Sequence, residues 1–556
     1  MKHSLTSGSI WRGMLFFALP ILLGNIFQQL YNTADAFIVG RFLDKNAYAA
    51  VSSSGSLIFL LVGFFNGIAV GAGVVIARYY GAKDNEKLQT AVHTTLAFGL
   101  TAGIVLTVLG VTLTPQLLRL MKTDADVLPN SIDYFRMYFA GSIAIVMYNL
   151  CVGILQAVGD SRHPLYYLIL SSLVNIALDL LFVGVFHWGV WSAALATSIS
   201  QFVSLGLCIF RLCHYDTVYR VCLRKIRFHL PMLKQVIHFG LPSGVQNSII
   251  AFANVIVQSN INAFGSNAMA GCGTYAKLEG FAFLPITCFT MALTTFVSQN
   301  LGAHQYDRVK KGVRFGIVCS TTLAECIGVV LFLLAEPLVA IFQNDPAVIE
   351  IGVRQAHVEA LFFCFLAFAH CIAGIMRGAG KPMVPMFIML AIWCVLRVAY
   401  ISIVVPLVAK IDVIFTAYPL TWGVSCIIFL IYFLKSDWLH NYDRLEQKKE
   451  VILFHTFHLP IYYGSETIRE YTGSEKKYTK DEIKEIFAHK ILKIIQTLEE
   501  KGVQITEKNV TMKKNEKKWK MEAEFLLIEP AGVLQKTGIC QIEDQNAEEQ
   551  GVEVTE

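Results

Sequence analysis

The chain has 556 residues, of which 55% are hydrophobic and only 16% are charged. A soluble protein of this length carries about 25% charged residues, so most of the chain cannot be a water-exposed domain. The formal net charge of +5 is too small to leave a nucleic-acid footprint, and the basic residues lie mostly between apolar runs.

The N-terminus, residues 1–9, is short and polar. No small-residue cleavage site follows the first apolar run, so that run is expected to stay as a helix. Six runs fill the first half, at 12–36, 55–77, 91–113, 134–158, 164–186 and 189–212. Six more fill the second, at 236–262, 272–297, 313–335, 355–377, 385–408 and 416–435. Each approaches the ~20 apolar residues that an α-helix needs to cross the hydrocarbon core. The pattern predicts an all-α integral membrane protein with twelve transmembrane helices. The expected division is a six-helix bundle over 1–220 and a second over 221–440. A soluble α+β region over 441–530 and a disordered tail over 531–556 complete it.

An even number of spans puts both termini on one side. Lys and Arg are denser in the loops on that side, with Arg220, Arg224, Lys225, Arg227, Arg308, Lys310, Lys311 and Arg314 among them. The bias predicts that both termini face the cytoplasm. The 13 cysteines are scattered singly and read as reduced packing residues.

After residue 440 the composition turns rich in Lys and Glu. Val451–Phe454 reads as a strand. Thr479-Lys480-Asp481-Glu482 is a capping-box pattern ahead of an amphipathic helix that runs to about Glu500. Strands are expected at 509–513 and 518–529, joined by a hairpin turn at Asn515-Glu516.

The two membrane halves superimpose in sequence. Phe17-Ala18-Leu19-Pro20 matches Phe239-Gly240-Leu241-Pro242, and Tyr80-Gly81-Ala82 matches Leu301-Gly302-Ala303. The segment Gly153 to Gly159 matches Gly374 to Gly380, and Pro164 matches Pro385. One offset of about 221 residues serves all four anchors. Six spans per repeat make the repeats parallel, related by an axis along the membrane normal. Such halves can rock about a central solute site.

Ionisable residues inside a membrane are costly and mark ion paths or cavities. Asp35 lies late in the first run, and Asp179 lies in the fifth, four residues after Asn175 and on the same helix face. Thr197, in the sixth, offers a hydroxyl. These oxygens suit one proton or a hard cation such as Na⁺. The plainer alternatives are an interfacial Asp35 beside Arg41 and a structural hydrogen bond for Asp179. Asn175 and Thr197 are also of a type that commonly joins membrane helices. The acids are not repeated: Val257 and Tyr400 stand at the matching positions. Instead the second half holds Glu279, Glu325, Glu359, His357, His370 and Arg397. Glu279 reads as interfacial beside Lys277, and no partner for Arg397 is evident. Ion coupling is therefore expected in the first half.

Leu19-Pro20, the Tyr31-Asn32-x-x-Asp35 segment, Gly81-Ala82, Gly159-Asp160 and Asn175-x-x-x-Asp179 resemble the multidrug and toxic compound extrusion (MATE) family, over about residues 8–438. The resemblance is to its bacterial and archaeal branch with a first-half acidic site. It implies a bacterial plasma-membrane antiporter, acting as a monomer, that exports organic, often lipophilic and cationic compounds against H⁺ or Na⁺ entry. It implies an ion site at Asp35, Asn175, Asp179 and Thr197. The substrate-cavity candidates are Gln28, Tyr31, Asn32 and Arg397. No cofactor beyond the coupling ion is expected, and no nucleic-acid partner. The region around Leu459-Pro460-Ile461 and from Tyr478 to Pro530 resembles the soluble part of YqfD-type sporulation membrane proteins.

No phosphate-binding Gly-x-x-x-x-Gly-Lys-Ser/Thr loop is present, and no His-Glu-x-x-His or Gly-x-Ser-x-Gly motif. The alternatives to an exporter are a lipid-linked precursor flippase of the same superfamily, a non-transporting scaffold and a membrane enzyme. A flippase is expected to carry a strongly basic cavity.

Overall fold

The computed structural model describes residues 5–43, 45–120, 123, 126–215, 217–342, 344–442, 461–463, 504–515 and 518–528. The chain forms two compact units, Met1–Leu439 and His440–Glu556.

The first half of the larger unit contains α1 (Ile10–Phe42), α2 (Lys45–Ala82), α3 (Asn85–Leu120), α4 (Leu128–Ala140), α5 (Ser142–Ala157), α6 (Arg162–Asp179) and α7 (Trp191–His214). Its second half contains α8 (Leu230–Asn262), α9 (Ser266–Gly302), α10 (Tyr306–Leu333), the short α11 (Ala335–Ala340), α12 (Pro346–Glu359), α13 (Phe363–Gly378), α14 (Met383–Met389), α15 (Arg397–Val408) and α16 (Asp412–Lys435). Among the described residues, ten helical segments are long and apolar enough to cross a membrane. The pair α4 and α5, bent by 47°, makes an eleventh if taken as one span. The expected run 55–77 falls within α2, which is helical but lies outside that count.

Two expected spans are thus broken where apolar composition reads straight through. One break is at Gly141, where a side chain would collide with Ser198 of α7. The other is the 3₁₀ turn Ala360–Phe362 between α12 and α13. Glu325 of α10 accepts a hydrogen bond from the freed Cys364 N–H at 3.1 Å. That contact caps the start of α13 inside the membrane.

The repeat is visible in the backbone. Left-handed residues recur at matching places in both halves: Lys83 and His304, Gly159 and Gly380, His187 and Ala409. The turn after α2 closes with Asp84 N–H to Tyr79 C=O at 3.1 Å, and the turn after α9 with Gln305 N–H to Asn300 C=O at 2.8 Å. Pro20 of α1 and Pro242 of α8 both lie inside their helices. The side chains in these turns diverge. Asp160 is buried and accepts from His163 Nδ1 at 2.7 Å and Arg211 Nη2 at 3.4 Å. At the matching position, Lys381 donates to the Asp437 C=O at 3.3 Å and sits 5.8 Å over the Tyr432 ring.

The halves meet along α2 and α8, where Gly67 and Gly71 pack on the backbone of Gly244 and Gly240, and between α2 and α9. Gly81 packs on the Gln299 backbone, and Gly302 packs on the Arg78 backbone. These two contacts are related by the repeat, so the pseudo-twofold axis passes between α2 and α9. Gln299 Nε2 donates to the Ala157 C=O at 2.6 Å, and its Oε1 accepts from Leu5 N–H at 3.0 Å. Arg308 holds the N-terminal strap through the carbonyls of Leu5, Ser7 and Gly8 at 2.8–3.2 Å.

In the smaller unit, β1 (Ile461–Tyr463), β2 (Gln504–Asn515) and β3 (Lys518–Ile528) form an antiparallel sheet in the order β1-β3-β2. Asn515 ends β2 and pairs with Lys518, and Glu516 of the expected Asn515-Glu516 turn lies outside the described residues. The first of its strands begins five residues earlier than 509. The expected strand at 451–454, the helix over 479–500 and the tail over 531–556 lie outside the described residues.

Candidate functional site

Three helices bring the first-half polar residues together. α1 carries Tyr31 and Asp35, α6 carries Asn175 and Asp179, and α7 carries Thr197. Asn175 Nδ2 lies 3.5 Å from Thr197 Oγ1. Asp35, Asn175 and Asp179 are all buried. The Asp35 and Asp179 side chains approach closely enough to interact directly.

Their hydrogen bonding is incomplete. Asp35 Oδ1, both carboxyl oxygens of Asp179 and Asn175 Oδ1 are buried without a hydrogen-bond partner among the described residues. A buried carboxylate with no donor costs several kcal/mol, on the order of the penalty for an unpaired buried ion. Four unsatisfied oxygens and a hydroxyl are groups that a proton or a hard cation would satisfy. No group of three His, Cys, Asp or Glu side chains suited to a metal ion occurs among the described residues. A bound Na⁺ would rely on the two carboxylates with the Asn175 carbonyl and the Thr197 hydroxyl. Asp179 is followed at once by the π-helical turn Leu180–Val185, a widened geometry frequent at functional sites.

Beside this cluster lies a cavity of about 350 Å³ between α1, α2, α5, α6 and α7, with a wall from α9. Of the cavity candidates Gln28 and Tyr31 line it, as does Thr197 from the expected ion site. Tyr31 and Thr197 link it to the buried oxygens. Asn32 is exposed and Arg397 lies elsewhere, so neither lines this cavity. Asn25, Asn149, Gln156 and Gln201 supply polar lining not singled out from sequence. The seven-residue spacing of Asn149 and Gln156 on one helix face was the available signal.

A second cluster occupies the other half. Arg397 is buried at the end of a π-helical stretch, Leu390–Leu396. Its guanidinium donates to Thr421 Oγ1 at 2.8 and 3.2 Å and lies 4.3 Å from the Tyr418 ring. The charges of Glu279 and Glu359 act on it. Glu359 is fully buried and accepts from Gln355 Nε2 at 2.9 Å. Arg397 thus has the partners that sequence reasoning left open. The interfacial reading of Glu279 is corrected: α9 begins at Ser266, which sets Glu279 more than three turns inside the helix.

These features define a multi-pass membrane protein with two like repeats and a polar-lined cavity beside buried, unsatisfied acids. The chain belongs to the MatE family, whose model matches residues 20–181 and 242–402. A putative stage IV sporulation protein YqfD model matches residues 421–529. Among curated relatives, the probable multidrug resistance protein YoeA of Bacillus subtilis is 29% identical over 76% of this chain and 94% of its own length. The probable multidrug resistance protein NorM of Thermotoga maritima is 26% identical, over 71% of this chain and 86% of its own. The fold matches a crystal structure of a MATE protein in the bent conformation, with TM-score 0.72 and 22% identity over 80% of this chain and 97% of that one.

Proposed function

We propose that the chain is a secondary active antiporter that exports lipophilic organic compounds, cations among them, in exchange for H⁺ or Na⁺. Family membership and the relatives' names support export of multiple drugs. The observation that carries the coupling is the Asp35–Asp179 pair, buried with three unsatisfied carboxyl oxygens next to a cavity. Two buried carboxylates in one site hold a cation or a proton far better than they hold nothing. Ion entry from the far side neutralises them, changes how α1 packs on α6 and releases the compound. Ion exit on the N-terminal side resets the cavity. The two repeats rock about the axis between α2 and α9 as the cavity changes sides.

This reading places the chain in a bacterial plasma membrane as a monomer with both termini in the cytoplasm. It is tested in inverted vesicles by dye export under an imposed Na⁺ gradient and, separately, an imposed pH gradient. Asp35→Asn and Asp179→Asn are expected to abolish the ion-driven component. Full ion-driven export in both variants overturns the assignment.

A further inference from the structure

The two halves are joined by the connection between α7, which ends at His214, and α8, which begins at Leu230. It lies on the side that bears the N-terminus. The Tyr219 ring packs on Tyr80 with centroids 6.5 Å apart, and the next residue, Gly81, touches Gln299, which holds Leu5.

The connection is pinned to the first half. Gln89 of α3 donates from Nε2 to the Val218 C=O at 2.6 Å. Cys222 N–H donates to His93 Nε2 at 3.1 Å, and Val221 N–H donates to the Leu212 C=O at 2.8 Å. Arg220 Nε turns back to the Cys213 C=O at 2.9 Å. At the far end, His229 caps α8 by accepting from the Met232 N–H at 3.4 Å.

This fixed backbone turns two kinds of side chain outward. Arg224, Lys225 and Arg227 are exposed, and none of them forms an ion pair among the described residues. The sequence holds no Asp or Glu between Asp216 and Glu279, so neither the later part of the connection nor α8 supplies a carboxylate. Interleaved with the cations are Leu223, Phe228 and Leu230, at 62%, 48% and 68% exposure. Single exposed apolar side chains are ordinary. Three large ones among three cations, where a span enters the membrane, are the composition of an interfacial segment. Its apolar groups sink below the headgroups while its cations stay level with the phosphates.

The other basic run on this side, Lys310, Lys311 and Arg314 of α10, lacks this character. Asp307 stands three and four residues before the two lysines, at the spacing of helix-face neighbours. The apolar residues interleaved there, Val309 and Val313, are buried.

We infer that the connection between the halves is a docking surface for acidic phospholipids. Arg224, Lys225 and Arg227 take the headgroup phosphates, and Leu223, Phe228 and Leu230 take the apolar layer beneath. In the orientation proposed above this is the cytoplasmic leaflet, but the binding itself needs neither that orientation nor transport.

The test uses full-length protein, stripped of lipid in detergent and titrated with phosphatidylglycerol or, separately, phosphatidylcholine. Affinity is read from the rise in melting temperature, and bound lipids are counted by native mass spectrometry. The wild type is expected to prefer phosphatidylglycerol by about tenfold or more, and the preference should shrink as salt is raised. The triple variant Arg224→Gln, Lys225→Gln, Arg227→Gln should lose about fivefold in phosphatidylglycerol affinity per charge removed, equal to about 1 kcal/mol each. Its phosphatidylcholine binding should stay in place. The triple variant Lys310→Gln, Lys311→Gln, Arg314→Gln removes the same charge and should keep most of the preference. Equal losses in the two variants show that net charge alone attracts the lipid and overturn the surface, as does an unchanged preference in the first. Stabilisation of the wild type by inorganic phosphate to the extent given by phosphatidylglycerol assigns the cations to a soluble anion and overturns the lipid reading. If the first variant does not fold, Arg224→Gln alone and the salt dependence of the wild type decide. No arm measures export, so failure here leaves the antiport reading standing, and loss of antiport leaves the surface standing.

Discussion

Gly81 and Gly302 occupy the same place in the two repeats, and each presses against the backbone of the opposite half at a matching residue, Gln299 and Arg78. Nothing larger than hydrogen fits at either position without moving the facing helix. The rocking of the halves proposed above must break this contact. Gly302→Leu is expected to destabilise this arrangement by roughly 1–3 kcal/mol, the usual cost of overpacking. Hydrogen exchange at residues 78–82 and 299–303 should quicken, and the melting temperature in detergent should fall. Unchanged exchange there would show that this contact does not hold the halves together.

The N-terminal strap makes a second, separable contribution. Arg308 binds three strap carbonyls with a charged donor, and a hydrogen bond to a charged group contributes about 1.5–3 kcal/mol. Arg308→Ala should accelerate hydrogen exchange at Leu5 and Gln299 by about tenfold or more. A smaller response at the Gly81 contact is expected, because that contact depends on packing alone.

Asn175 and Thr197 are expected to tune ion affinity rather than create it. In the ion site proposed above they contribute neutral oxygens, and the charge comes from Asp35 and Asp179. Asn175→Leu or Thr197→Val should raise the ion concentration for half-maximal dye export by about tenfold, on the order of 1.4 kcal/mol. Gln28→Ala lies on the cavity wall and should change the half-saturating dye concentration while leaving that for the ion in place. Equal effects of all three on both quantities would mean that cavity and ion site are one.

Arg397 and Glu359 act on one another by charge without an ion pair among the described residues. Arg397→Met is expected to lower the melting temperature by removing its Thr421 and Tyr418 contacts, and adding Glu359→Gln should restore part of any loss that comes from the charge. A double-mutant cycle in detergent measures the coupling. Simple additivity would assign Arg397 to its Thr421 and Tyr418 contacts alone.

Several of these features were legible before any coordinates. The apolar runs located the helices, because the bilayer imposes one length on every span. The offset of about 221 residues exposed the repeat, and the backbone repeats with it at Lys83 and His304. Asp35, Asn175 and Asp179 stood out because polarity inside a membrane is rare. What composition could not show were the breaks at Gly141 and Ala360–Phe362, since apolar residues read alike in straight and bent helices. It also placed Glu279 at a span edge, because Lys277 beside it suggested an interface that α9 passes well before.

The sequence alone determined that this chain is a membrane protein of two like halves whose acids differ, Asp35 and Asp179 having no counterpart at the matching positions. Periodicity and hydropathy are local properties, and they survive without a fold. Only the tertiary structure decided which polar atoms are left unsatisfied. Asp35 meets Asp179 across about 144 residues of chain, and Arg397 finds Thr421. Hydrogen-bond satisfaction depends on what distant segments bring to the same few ångströms, and no spacing along one helix encodes that.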